Sequence, residues 1–229
     1  RRTQVSSIDI TRAYLCAKTD PEDPTYVDVP REHPWSKDKD ACGMLMRHMY
    51  GTRKAGDGWH VEISTTLTES LGFSKGDASA CIFRHPGRSI ECSIHGDDLS
   101  AEGPKEELDW YKAELEKHYD LKEGARLGPG EGDGKEARML NRMVRWTKEG
   151  IEYEADPRQA EQLVRDLGMS GSRTVGTPGV KVTTEQVGAD KELSIDRQRP
   201  YRGVAARANY LSADRPDMQH AGKEVCRWM

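Results

Sequence analysis

The sequence predicts an α+β fold, an antiparallel sheet with helices packed on one face. Two observations carry this. Short apolar runs, 89–94 and 99–101, flank a Gly96-Asp97 pair, the pattern of a β-hairpin with carboxylates at its turn. Apolar residues at helical spacing recur in two stretches: Trp59, Ile63, Leu67 and Leu71, then Leu108, Tyr111, Leu115 and Tyr119 behind Pro104.

Taken in order, Val5 to Ile10 has strand character and carries an acid, Asp9, near its end. Residues 19–24 (TDPEDP) have turn chemistry, and Tyr26 to Pro30 reads as a short strand. Residues 31–41 read as polar loop, Met44 to Tyr50 as apolar/basic alternation, and 51–58 as a Gly-rich basic connector. The first helix is expected from Trp59 and stops at Gly72. His85-Pro86-Gly87-Arg88 separates two strands, and Pro104 opens the second helix. Residues 124–136 (GARLGPGEGDGKE) have the composition of a flexible linker, so the seam between subdomains is expected there. Its Gly-Lys pair does not make a phosphate loop, because Pro129 and Glu136 stand where Gly and Ser or Thr are needed. Beyond it, Asp156, Pro157 and Gln159 form a capping box before Ala160, Leu163, Val164 and Leu167. Residues 170–199 read mostly as loop, and two helical patterns follow, Tyr201 to Leu211 and from Pro216 onward.

The 229 residues suit one sizeable domain or two small ones. A net charge of −4 excludes a globally basic nucleic-acid binder, so any such contact needs a local patch. Apolar content is 35%, thin for a core of this size. The five cysteines form no C-x-x-C pair and are odd in number, which points to reduced intracellular thiols rather than a disulfide framework. No run reaches membrane-span length and no signal peptide opens the chain, so an intracellular protein with no membrane partner is expected. The chain opens on Arg-Arg-Thr and stops at Trp228-Met229 in mid-pattern, as a piece of a longer one would.

Adjacent carboxylates at a hairpin tip repel each other, and a divalent cation removes that conflict. Hard oxygen ligands of this kind suit Mg²⁺ or Mn²⁺. If the strand of Asp9 pairs with the hairpin of Asp97 and Asp98, three carboxylates can converge on one sheet edge. Such a set serves in-line phosphoryl transfer. Arg47, Arg53 and Lys54 form a basic turn that is either solvated or a template or triphosphate contact. Trp59 reads as core. Cys81, His85, Cys92 and His95 alternate without the grammar of a zinc site.

Ser7 to Leu15 (SIDITRAYL) resembles motif A of the reverse transcriptases of copia-type LTR retrotransposons. Met49 to Trp59 (MYGTRKAGDGW) resembles the family's Leu-Tyr-Gly-Leu-Lys-Gln-Ala-Pro-Arg-x-Trp block, and Leu71-Gly72-Phe73 with Asp77 and Cys81 matches its next landmark. His95-Gly96-Asp97-Asp98 falls where the family has Tyr-Val-Asp-Asp. Gln159 to Met169, Thr177-Pro178 and Tyr201 to Asp217 continue the likeness. The resemblance implies a polymerase palm over residues 1–123, the linker, and a thumb/connection-like region over 137–229 that stops before an RNase H domain. It implies RNA-directed DNA polymerase activity by two-metal nucleotidyl transfer, with Asp9, Asp97 and Asp98 catalytic and holding Mg²⁺ or Mn²⁺. Tyr14 becomes the steric gate against a ribose 2′-OH, and Arg53 and Lys54 substrate contacts. Implied partners are an RNA or DNA template with primer, a dNTP, and the remaining Pol polyprotein segments (fingers, RNase H and integrase). Implied localisation is an intracellular particle or the nucleus.

The sequence departs from the family at Lys54 for Gln, at Gly56 for Pro and at His95-Gly96 for Tyr-Val. Lys54 places nucleotide fidelity in question, and Gly96 is expected to loosen the hairpin. A second reading therefore stands beside the first: a retroelement relic that folds or binds nucleic acid without polymerising.

Overall fold

In the computed structural model, which describes residues 3–38, 40–180, 183, 185 and 192–229, the first alternating run is a strand, β1 (Thr3–Ile10). It lies in a six-stranded sheet with β4 (Ser74–Lys75), β5 (Ile82–His85), β6 (Ile90–His95), β7 (Asp98–Pro104) and β8 (Leu121–Leu127). The order is β4-β5-β6-β7-β1-β8 and every pairing is antiparallel. Burial alternates along β1, with Gln4, Ser6, Ile8 and Ile10 on the covered face and Val5, Ser7 and Asp9 on the open one. A separate hairpin pairs β2 (Tyr26–Asp28) with β3 (Cys42–Met44). The fold is α+β.

After the short α1 (Ala13–Cys16), two helices supply the covered face. The first, α2 (Ala55–Thr65), runs into a π turn over Thr66–Ser70, and the second is α3 (Lys105–Leu115). Trp59, Ile63, Leu67 and Leu71 are all buried, as are Leu108, Tyr111 and Leu115, and they pack with Ile8, Ile10, Phe83, Ile90 and Leu99 of the sheet. Each such side chain is worth about 1.5–3 kcal/mol when removed from water. Helix α2 begins four residues before the expected Trp59, because Ala55 belongs to the same buried stripe. A Cβ on Gly58 would lie 2.1 Å from His48 Nε2, so the glycine in this helix is where the buried imidazole packs.

Residues 124–136 are not a flexible linker. Their first part completes β8, the edge strand beside β1. The rest is a tied loop: the Asp133 carboxylate accepts from Gly130 N and Gln4 Nε2, both at 2.7 Å. Lys135 donates to the carbonyls of Gly128 (2.6 Å) and Gly130 (2.7 Å). Backbone bonds close the loop as well, Gly134 N donating to Arg126 O at 3.0 Å, and composition reveals neither set. The first unit therefore runs past residue 123, and the chain divides into Arg1–Ala137 and Arg138–Met229.

The three-stranded sheet β9 (Glu136–Met139), β10 (Arg142–Trp146) and β11 (Ile151–Glu154) has the order β11-β10-β9, and no expectation covered it. The second unit then carries α4 (Pro157–Asp166), α5 (Ile195–Ser212) and α6 (Gln219–Cys226). Asp156 caps α4 by accepting from Arg158 N at 3.1 Å, while the Gln159 side chain accepts from Arg207. Helix α5 starts before the expected Tyr201 and tolerates Pro200 inside it. Of the expected loop 170–199, residues 181, 182, 184 and 186–191 lie outside the described residues. Among the described residues no helix is long and apolar enough to cross a membrane.

Candidate active site

The register of the sheet brings the acids together. Asp9 of β1 lies directly opposite Asp98 of β7, Asp98 opposite His95 of β6, and Asp9 opposite Lys122 of β8. Directly opposed residues share a face, with Cβ atoms about 4.5–5.5 Å apart. His95, Asp98, Asp9 and Lys122 thus form one row on the open face, at the hairpin end. The next row on that face is Ser93, Ser100 and Ser7, small side chains that leave the carboxylates uncovered.

Asp97 sits in the two-residue turn between β6 and β7. Gly96 has φ +63, the position that a II′ hairpin gives to glycine, and a Cβ there would meet nothing within 4 Å. The expectation that Gly96 loosens the hairpin is corrected: the turn demands that backbone, and a β-branched residue would be strained in it. Both turn carbonyls are held. Ile10 N donates to Asp97 O at 3.0 Å, and the Trp59 indole N–H donates to Gly96 O at 2.6 Å. The Asp98 carboxyl is raised above its ordinary pKa, first by loss of solvent, then by the charges of Asp97 and Asp9, with His95 opposing. Asp98 thus feels the charge of both neighbouring acids.

Tyr14 lies on α1, past a left-handed Arg12 (φ 56), half-buried and packed against the core. Its ring centroid is 4.4 Å from that of Tyr50. The Tyr50 hydroxyl is raised by loss of solvent and then by the Asp97 charge, so this aromatic pair borders the acids. The Lys54 ammonium is paired with Asp23. Arg53 is exposed in the turn before α2. Cys92 is buried on the covered face and His95 exposed on the other, as an odd spacing within one strand requires, so the alternating Cys/His set does not converge.

Among the described residues no group of three or more His, Cys, Asp or Glu side chains is gathered closely enough to hold an ion. The donor set nonetheless fits a hard divalent cation in kind. Asp9, Asp97 and Asp98 offer only carboxylate oxygens, and Asp98 is raised first by loss of solvent and then by its acidic neighbours, both of which positive charge would offset.

Sequence reasoning missed Trp59 as a donor and Tyr50 as the partner of Tyr14. A buried indole needs a hydrogen-bond acceptor, which is a usable signal for Trp59. Nothing in the sequence announces the contact of Tyr50 with Tyr14.

Residues 1–129 match the family described as reverse transcriptase (RNA-dependent DNA polymerase). The chain belongs to that family. The reverse transcriptase match spans β1, the α2 helix, the acidic hairpin and β8, all in the first unit. No curated protein matches the chain. A solved structure of telomerase from Candida albicans, in complex with a TWJ fragment of telomeric RNA, is similar over 98% of this chain at 10% identity, with a TM-score of 0.38. This chain spans 48% of that one.

Proposed function

We propose that the first unit is the palm of a copia-type retrotransposon reverse transcriptase and the second a thumb/connection-like region. The observation that carries this is the row in which Asp9 faces Asp98, with Asp97 in the adjoining turn. The reaction is addition of a dNTP to a primer 3′-OH on an RNA or DNA template, with release of pyrophosphate.

Asp9, Asp97 and Asp98 would hold Mg²⁺ or Mn²⁺, with Asp9 and Asp97 shared between two ions and Asp98 supporting the second. Bound there, such ions supply the positive charge that steadies attacking and leaving oxygens in an in-line displacement. Like charges oppose gathering the three side chains, and a cation bound among them would offset that repulsion. The open face, floored by Ser7, Ser93 and Ser100, receives the primer end beside the acids. Tyr14, backed by Tyr50, is the wall that a ribose 2′-OH would strike. Arg53 is the cation available to a triphosphate; Lys54 reaches one when its pair with Asp23 opens. Fingers, RNase H and integrase segments of a longer polyprotein are the expected covalent neighbours.

The Lys54–Asp23 pair favours one other reading, a relic that binds template without extending it. Primer extension on a primed RNA template decides between them, run beside the same chain carrying a fingers segment at its N-terminus. Mg²⁺-dependent extension is the expected result. Template binding without extension in both forms assigns the relic.

A further inference from the structure

We propose that Trp59 is a positioning residue for the carboxylate turn: by holding the Gly96 carbonyl, it fixes the direction in which the Asp97 side chain leaves the hairpin. This rests on the reading of Asp97 as a cation ligand.

The argument starts from the peptide between Gly96 and Asp97. Its carbonyl belongs to Gly96 and its N–H to Asp97, and the unit is planar. Holding that carbonyl therefore sets the plane from which the Asp97 Cα–Cβ bond projects. Gly96, with no Cβ and φ +63, is the residue in the hairpin whose peptide turns most readily. The strand pairing stops at His95 and Asp98, so the ladder does not hold this peptide. The clamp comes from outside the sheet, as the 2.6 Å bond from the Trp59 indole.

The clamp is itself immobile. Trp59 is 1% exposed and meets Tyr119 edge-on, with centroids 5.4 Å apart at 76°. The Tyr119 hydroxyl and Thr66 Oγ1 lie 2.6 Å apart, buried, and Thr66 opens the π turn that extends α2. The opposite side of the turn is tied by Ile10 N to Asp97 O, next to Asp9. Trp59 and Ile10 thus grip successive carbonyls, and the acid between them is aimed by both. A Phe at position 59 would keep most of the packing and lose the grip.

The test is Trp59→Phe in the whole chain, read by Mn²⁺ binding (electron paramagnetic resonance of the free ion) and by residue-resolved amide hydrogen exchange. Mn²⁺ affinity is expected to fall about tenfold, the scale on which outer partners of metal ligands act. Exchange is expected to quicken at Ile10 while Cys92 and Ala101 keep their protection. A merely structural Trp59 would quicken all three together, and that result, or wild-type affinity with wild-type exchange, overturns the proposal. If Asp9→Asn leaves Mn²⁺ binding unchanged, the cation reading fails instead, and the clamp is judged by exchange alone: local quickening at Ile10 supports it, and uniform or absent quickening overturns it. Should Trp59→Phe fail to fold, benzothienylalanine at position 59 keeps the bicycle, replaces N–H by sulfur, and is held to the same outcomes.

Discussion

The first unit buries Trp59, Phe83 and Tyr111 with a continuous set of Ile and Leu side chains beneath its sheet. The second, among its described residues, buries apolar side chains at Val144, Ala205, Ala208 and Leu211, and leaves Val164 of α4 and Leu167 just past its end exposed. In place of a wide core it carries guanidinium clusters. Arg142 Nε donates to Asp214 at 2.7 Å, the Tyr153 hydroxyl donates to the same carboxylate at 3.4 Å, and Tyr153 and Tyr210 stand beside the guanidinium. Arg207 joins Gln159 and Asp166 in the same manner. Apolar burial adds up residue by residue, whereas ion pairs roughly break even against desolvation and matter most when one partner is lost. The candidate carboxylates lie on the unit with the apolar core, where rigid strands can hold side chains to the tolerance that chemistry needs.

The comparison breaks most visibly through truncation. Ile63→Ala should destabilise the first unit by about 2–5 kcal/mol, since it opens a cavity in a closed core. Val164→Ala, at an exposed position, should stay within about 0.5 kcal/mol. Native-state hydrogen exchange in each unit measures both, and equal costs would erase the distinction. The second unit should answer to charge instead. Arg142→Met leaves the mostly buried Asp214 charge without a cation, the long Tyr153 bond its remaining contact, and should cost about 3 kcal/mol by denaturant unfolding. A neutral result would mean that apolar packing carries this unit as well.

Smaller effects sharpen the account of the hairpin. Gly96→Ala meets no atom, so its cost of about 1–2 kcal/mol is the left-handed backbone alone. An unchanged melting temperature would mean that the turn relaxes to another geometry. Asp98→Asn should raise the melting temperature slightly at neutral pH. A carboxyl whose folded pKa lies above its unfolded value contributes fully below the unfolded pKa and loses that contribution as pH rises through the folded one. The wild type should therefore draw level as pH falls through the raised Asp98 pKa and match the variant in acid. A variant less stable at neutral pH would contradict the repulsion.

Much of the first unit was legible in the sequence because its devices are periodic. The stripes through Trp59 and Leu108 and the alternation around Asp9 and Asp97 fall on the buried faces or strands expected of them. The pairing of Asp9 with Asp98 was not legible, because register is set by residues far apart in the chain. Residues 124–136 misled for a local reason: Gly-rich composition conceals the bonds of Asp133 and Lys135 that tie the loop. The Lys54–Asp23 pair and the tilted Tyr14–Tyr50 ring contact join residues about thirty or more positions apart, a distance at which composition and spacing carry no signal. The amphipathic α4 was legible, but the short strands β9 to β11 bury almost nothing: β11 is exposed throughout and β10 buries Val144 alone, so no apolar face marked them.

The central claim is that Asp9 and Asp97 serve one site, and a double-mutant cycle in Mg²⁺-dependent primer extension tests it most directly. Groups that act as a unit lose activity non-additively. Asp9→Asn and Asp97→Asn should each remove nearly all extension while the chain stays folded, and the double variant should be scarcely worse than either. Near-normal extension by a folded single variant, or losses that multiply in the double variant, would contradict the shared site.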